Sequence, residues 1–352
     1  MKIQGCETIP VRVNFEGVMP GTHIVLRLHT DEGTEGVSYV SRVNPQNMKP
    51  LQLLIESMVE SLNGHDATDT EKVYAKLFRT SYGGYPVSGL ELRAASAIDV
   101  ACWDLKGKAL GQPVYKLMGG ARDRLPISAN WRLTPNVPRE DLAAHIQAVL
   151  ARSFKAIKCP VGGVDVDTAI DHVRFVGRCA GPDIKIIVDG GFRWSVKEAQ
   201  HFARETEDCN LYWIEDPVAF HDYEALKQVT DTIKQRTTAG EVFQHPHQFR
   251  RLIEGRCSDN VMIDQDLGLT GFLHVAHMAD VCGRPVINHL APEVLSHAMA
   301  GVPNGLIVGL VPWGQPLFTE PMKIEDGELV MPPGPGLGLT LDEDVLKAGT
   351  LT

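Results

Sequence analysis

The chain has 352 residues, more than one small domain needs, and its 44 acidic against 34 basic side chains leave a net charge of −10. Scattered Lys and Arg on an acidic chain exclude a nucleic-acid or anionic-membrane surface. No charged and then apolar leader opens the sequence and no run reaches the roughly 18 apolar residues of a membrane span, so a cytoplasmic enzyme is expected.

In chain order, residues 1–43 alternate apolar and polar side chains, with a turn signal from Asp31 to Gly33, and predict an antiparallel meander. Residues 14–21 carry Gly17, Pro20 and Gly21 and read either as a cover over a site or as an ordinary hairpin loop. Helical spacing follows over residues 45–81, marked by Leu51, Leu54, Ile55, Met58 and Leu62. A Gly/Tyr-rich break follows, in which Tyr82 and Tyr85 are candidate lid residues or packing residues. A long helix over residues 91–110 has Ala94, Ala97, Ile98, Ala101, Cys102, Leu105 and Ala109 along one face and Gly111 as its stop. A meander with helices is an α+β domain, assigned to residues 1–122.

From Leu125 onward, short apolar runs end at Asn130, at Lys158 or Pro160, and at Asp189, Glu215, Glu241, Asp264 and His289, with a last one over residues 306–309. Helical stretches fill the gaps, for instance at 139–152, 164–178, 195–205 and 222–228. Eight strands at intervals of about 20 to 31 residues fit a parallel βα barrel over residues 123–319. Residues 320–352 hold the Gly/Pro-rich stretch from Met331 to Gly338 and are expected to return over the barrel or the first domain. The seven cysteines lie singly, without a C-x-x-C pair, and read mostly as buried free thiols.

Asp189, Glu215 and Glu241 organise this pattern. They stand 26 residues apart, one βα period each, at the ends of successive strands. A ring of parallel strands gathers such residues at its C-terminal mouth. Three hard oxygen ligands without Cys or His suit Mg2+ better than Zn2+.

Residues 94–120, running from Ala94 through Trp103 and Asp104 to Gly119-Gly120, resemble the end of the N-terminal domain in the mandelate racemase subgroup of the enolase superfamily. The likeness continues through the segments around Lys158, Asp189, Glu215, Glu241 and His289 and through residues 331–338, so it spans the chain. The resemblance implies a modified TIM barrel capped by the α+β domain, with Asp189, Glu215 and Glu241 holding Mg2+. It also implies a small-molecule carboxylate substrate, abstraction of the proton alpha to that carboxylate through an enediolate, and a symmetric homo-oligomer. Enolase-superfamily sites, with a Lys or His base and Mg2+, are a known instance of this chemistry.

The same resemblance makes His289 a general acid/base and Asp264 its partner, with Asp266 as the alternative partner. Relatives commonly carry Lys-x-Lys at the end of the second barrel strand, whereas this chain has Lys158-Cys159-Pro160. Lys158 is then expected to meet the substrate carboxylate or the metal's surroundings, and Pro160 cannot carry a proton. The strand-eight acid of many relatives is replaced by an apolar residue or glycine, and the Asn that often follows the first ligand is Gly191. His245 and His247 follow the third ligand and read as loop residues or as substrate contacts. A base on one face favours dehydration of an acid sugar, and Asn130, Arg132, Arg193 and Asn288 suit a hydroxylated substrate. A racemase, epimerase or cycloisomerase and a non-catalytic carboxylate-binding barrel are the competing readings.

Overall fold

The computed structural model describes residues 1–15, 21–79 and 87–351. The possible cover at residues 16–20 and the lid candidates Tyr82 and Tyr85 lie outside the described residues.

The meander comprises β1 (Ile3–Val13), β2 (Gly21–Thr30) and β3 (Glu35–Val40), paired antiparallel in that order. The single helical stretch expected over 45–81 is divided into α1 (Met48–Ser61) and α2 (Thr70–Arg79), separated by a turn at residues 62–69. Leu51, Ile55 and Val59 of α1 recur every four residues and are buried with Ile24, Leu26 and Leu28 of the sheet in one cluster. Full burial of each such side chain is worth about 1.5–3 kcal/mol.

Helix α3 (Gly89–Leu110) departs from the one-faced pattern. Its opposite side, with Asp99, Trp103 and Asp104, is also buried, while Ala109 is exposed. The helix is wedged between meander and barrel, so polar residues on its second face must be satisfied by hydrogen bonds across the seam. Asp99 accepts from Thr270 N at 2.9 Å and Thr270 Oγ1 at 2.6 Å, and Trp103 Nε1 donates to the same hydroxyl at 2.8 Å. Gly268 lies against this carboxylate with φ of +66°, and a Cβ there would stand 2.5 Å from Asp99 Oδ2. Gly111 ends α3 in the left-handed region at φ of 61°, as its stop role requires.

After the short α4 (Val114–Leu117), the barrel opens with β4 (Arg124–Ala129). It proceeds through α5 (Arg139–Ala151), β5 (Ala156–Pro160), α6 (Val166–Ala180), β6 (Lys185–Asp189), α7 (Val196–Glu205), β7 (Leu211–Glu215) and α8 (Tyr223–Thr232). Then come β8 (Thr237–Ala239), α9 (Pro246–Glu254), β9 (Asn260–Asp264), α10 (Gly268–Val281), β10 (Val286–His289), α11 (Pro292–Gly301) and β11 (Val308–Leu310). Strands β4 to β10 pair in parallel sequence, and β11 pairs with β4, Gly309 facing Ser128 in register. Between β10 and β11 the isolated bridge Val286–Gly305 links the two ends of the sheet. The architecture is a modified TIM barrel with an N-terminal α+β domain.

The C-terminal segment touches both parts. The hairpin β12 (Ile324–Glu325) and β13 (Glu328–Val330) adds antiparallel to the start of β4. Gly336 then bridges Pro113, Leu337 N donates to Asp104 Oδ1 at 2.8 Å, and Thr350, after α12 (Glu343–Gly349), bridges Val11 of β1. Cys102, Cys159 and Cys257 are buried free thiols, while Cys282 is exposed. No helix among the described residues is long and apolar enough to cross a membrane.

Candidate active site

The barrel interior holds an apolar cluster of Ala156, Ile187, Trp213, Met262, Ile287 and Ile307. Two residues after each come Lys158, Asp189, Glu215, Asp264, His289 and Gly309. Side chains two apart on a strand share a face, so an apolar layer is overlaid by a polar one at the mouth. The strand period, rather than any local motif, puts these groups in one place.

Glu241 arrives differently. It was expected to close its strand, but β8 ends at Ala239. Gly240, with φ of +129°, turns the chain so close to β9 that a Cβ would stand 2.5 Å from the Met262 carbonyl oxygen. The first barrel strand likewise stops at Ala129, one residue short of Asn130.

Lys158 is buried and forms an ion pair with Glu215, and its Nζ lies 3.1 Å from Asp189 Oδ2. Burial alone would lower its pKa, but Asp189, Glu215 and Glu241 override that and hold it above the ordinary lysine value. Glu215 is fully buried and also accepts from Trp213 Nε1 at 3.2 Å. Burial, reinforced by Asp189 and Glu241 and opposed by Lys158, pushes its carboxyl up to about 7. Asp216, the next residue, is buried and raised well above the usual carboxylate range by burial and by Glu241 and Glu215.

Oxygens of Glu215, Asp216 and Glu241 lie within 4.8 Å of one another. Asp189 is not in that trio; it joins Glu215 through Lys158, and its Oδ1 accepts from Gly191 N at 2.9 Å. Asp216 Oδ2 and Glu241 Oε2 are buried without a hydrogen-bond partner among the described residues. Crowded, desolvated carboxylates with orphaned oxygens fit a hard divalent cation, which would remove both the repulsion and the missing bonds. Sequence reasoning passed over Asp216, although its place in Glu215-Asp216-Pro217 was a visible signal.

On the other side of the mouth, β9 and β10 set Asp264 beside His289 in register, and Asp264 Oδ2 bonds His289 Nδ1. Asp266 turns away and pairs with Arg93 of α3 at 3.2 Å. His289 Nε2 stands 3.2 Å from Glu241 Oε2, outside hydrogen-bond geometry. Burial disfavours the imidazolium, yet Glu241 and the bond to Asp264 raise His289 to about 9.

Lys158, Pro160, Asp189, Glu215 and His289 line one cavity of about 450 Å³, together with Asn130, Arg132 and Asn288. Asn288 is committed to the scaffold: its amide donates to the Leu290 and Gly309 carbonyls and accepts from Gly309 N. A Cβ at Gly309 would lie 2.6 Å from Asn130 Nδ2. Arg193 does not line this cavity, and His245 and His247 stack on each other in a separate hollow beside Tyr74 and His274. Arg42, from the loop after β3, also reaches the mouth cavity, with its guanidinium 4.7 Å from the Trp313 ring. No sequence pattern marked Arg42 or Trp313.

Fold and site together define a capped βα-barrel protein with a carboxylate-rich mouth. The chain belongs to the mandelate racemase/muconate lactonizing enzyme family: its N-terminal domain family matches residues 3–119 and the enolase C-terminal domain-like family matches residues 141–345. It is 29% identical to an L-talarate/galactarate dehydratase of Salmonella typhimurium over 94% of this chain and 83% of that protein. It is 28% identical to a 3,6-anhydro-alpha-L-galactonate cycloisomerase of Streptomyces coelicolor, over 91% of this chain and 89% of that one. The L-talarate dehydratase of Polaromonas sp. JS666, crystallised with Mg and L-glucarate, superposes with a TM-score of 0.90 at 28% identity, covering 100% of this chain and 98% of the other. Mg2+ is the cofactor, as in that structural neighbour.

Proposed function

We propose that this protein is a Mg2+-dependent hydro-lyase that converts an acid sugar into a 2-keto-3-deoxy acid. What supports the reading is the asymmetry of the mouth, with a His289–Asp264 pair on one side and, at the end of β5, Pro160, which carries no proton. On this reading residues 1–122 cap the mouth, 123–319 form the barrel and 320–352 tie the two together.

Asp189, Glu215 and Glu241 would hold the metal, with Asp216 beside them. Bound there, Mg2+ would supply positive charge beside the substrate carboxylate and would offset the Glu241 charge facing His289. Asp264 fixes the imidazole through Nδ1 and leaves Nε2 to accept the alpha proton. The resulting enediolate expels the β-hydroxyl, to which Nε2–H returns the same proton, so water departs. The enol product tautomerises to the 2-keto acid. One base on one face suffices for this syn elimination. A racemase needs a proton donor on the opposite face, which Pro160 cannot supply. Lys158, held charged by its carboxylate neighbours, serves to bind the substrate carboxylate.

An isomerase is the second reading, favoured by the 28% identity to a cycloisomerase. Incubating the protein with mono- and diacid sugars and Mg2+ in deuterated water tests both. Keto product that disappears in His289→Asn is expected. Alpha-deuterium without keto product would turn the assignment to an isomerase, and Mg2+-dependent binding with neither signal to a non-catalytic barrel.

A further inference from the structure

The cavity is electrically two-sided. In the closed strand order, Asp189 and Glu215 end β6 and β7 and Glu241 follows β8, and the arc across the ring is formed by β10, β11 and β4. From that far arc come Asn130 and Arg132, just after β4, and Trp313, just after β11. Arg42 stacks on Trp313 and so overhangs the same arc. Among the described lining residues, Asp189 and Glu215 alone carry carboxylates, and both belong to the near arc.

Neither Arg42 nor Arg132 has a carboxylate or hydrogen-bond partner among the described residues, whereas Arg93 is paired with Asp266. Both stand on left-handed backbone, with φ of 53° at Arg42 and 56° at Arg132, a conformation that side chains other than glycine adopt uncommonly. Arg42 is also held from behind: the carbonyl of Ser41 accepts from Arg93, and the Arg42 guanidinium lies on an indole ring. Among the described residues the Trp313 indole N–H has no acceptor, and Asn130 uses its Oδ1 to accept from Ser128 while its amide N–H has no acceptor. Among the described residues the far arc therefore presents donors and positive charge without an internal anion.

We infer that the substrate is a dicarboxylate, an aldaric-type sugar acid whose second carboxylate is bound by Arg42 and Arg132. This deepens the hydro-lyase reading and rests on it for the placement of the first carboxylate near the carboxylate-rich arc. Guanidinium groups match a carboxylate in charge and fork geometry, and a monoacid would leave both without an anion. A cavity of about 450 Å³ leaves room for a chain long enough to reach from one arc to the other. Because Arg42 comes from the N-terminal domain and Arg132 from the barrel, the second carboxylate also reads whether the cap is seated.

Calorimetric titration of the His289→Asn protein with Mg2+ and matched acids, gluconate against glucarate and galactonate against galactarate, tests the inference. At least one diacid is expected to bind about 10-fold or more tightly than its monoacid. Arg42→Gln and Arg132→Gln should each remove most of that preference while leaving monoacid affinity within about two-fold, and Arg→Lys at either position should restore part of it. Equal affinity for both members of every pair, or equal weakening of both by the Gln variants, overturns the inference. Tighter binding of 6-phosphogluconate than of any diacid overturns it as well, replacing the carboxylate with a phosphate. Diacid preference without turnover by the wild type upholds this inference and removes the hydro-lyase reading. Turnover of monoacids with no diacid preference does the reverse.

Discussion

The seam between the two domains and the mouth of the barrel both bury carboxylates, and they treat them in opposite ways. At the seam Asp99 and Asp104 have their bonds made. Asp99 takes two bonds from Thr270, and Asp104 accepts from Val37 N and Leu337 N at 2.8 Å each and from Lys108 at 2.6 Å. At the mouth, Glu215, Asp216 and Glu241 crowd one another and two of their oxygens have no hydrogen-bond partner among the described residues. A buried charge with all its bonds made holds elements together, whereas one left short raises the energy of the empty site until a ligand arrives. The contrast separates a group retained for stability from one retained for binding.

The sharpest way to break this comparison is at the mouth. His289→Asn should lower kcat by about 10²–10⁴-fold, the range of general acid–base catalysis, while leaving affinity for an unreactive acid within a few-fold. Equal losses in both would make His289 a packing residue. Next comes the seam: Asp99→Ala strands the Thr270 N–H and hydroxyl in a buried position and should cost about 2–4 kcal/mol in urea unfolding, with Mg2+ affinity unchanged.

The third test uses pH. Tyr39 of β3 donates to Glu293 of α11 at 2.5 Å across the domains, and burial pushes the Glu293 carboxyl up from 4.5 to about 7. The folded protein thus holds a proton that the unfolded chain releases above pH 4.5. The stability from this group is full below pH 4.5, declines as pH rises to 7 and is level above. The total is up to about 3 kcal/mol, and Glu293→Gln should flatten that slope.

Asp216→Asn sharpens the comparison from the other side. Asp216 has φ of 42°, which Asn tolerates, and its carboxyl is destabilised by burial and like charge. The metal-free protein should gain about 1–2 kcal/mol near pH 8, a gain that shrinks in saturating Mg2+ because the variant binds the ion less well. The smallest effect is expected for Lys108→Met. Asp104 keeps its two backbone donors there, so the loss of a partly exposed ion pair should stay below about 1 kcal/mol.

Much of this was legible without coordinates because it rests on period. The alternation that places an apolar residue two positions before Lys158, Asp189, Glu215, Asp264 and His289 is a property of strands, and the 26-residue spacing is a property of βα units. Asp266 was indistinguishable from Asp264 by position alone, since both lie at the end of one strand. Only the packing of α3 against that turn, with Arg93 taking Asp266, separates them. The second buried face of α3 was hidden for the same reason, because the partners of Asp99 and Trp103 lie at Thr270 and those of Asp104 at Val37 and Leu337, all remote in sequence.

The sequence by itself determined the barrel, the α+β domain and the run of carboxylates at strand ends. These follow from local alternation and repeat length, which are written in neighbouring residues. Only the tertiary structure decided that Glu241 stands past its strand on a glycine turn and that Asp216 joins the crowded carboxylates. It also decided that Arg42, from the first domain, meets Arg132, from the barrel, over one cavity. Those outcomes depend on which surfaces meet after the chain has closed, and no spacing along the chain encodes a contact between residues 42 and 313.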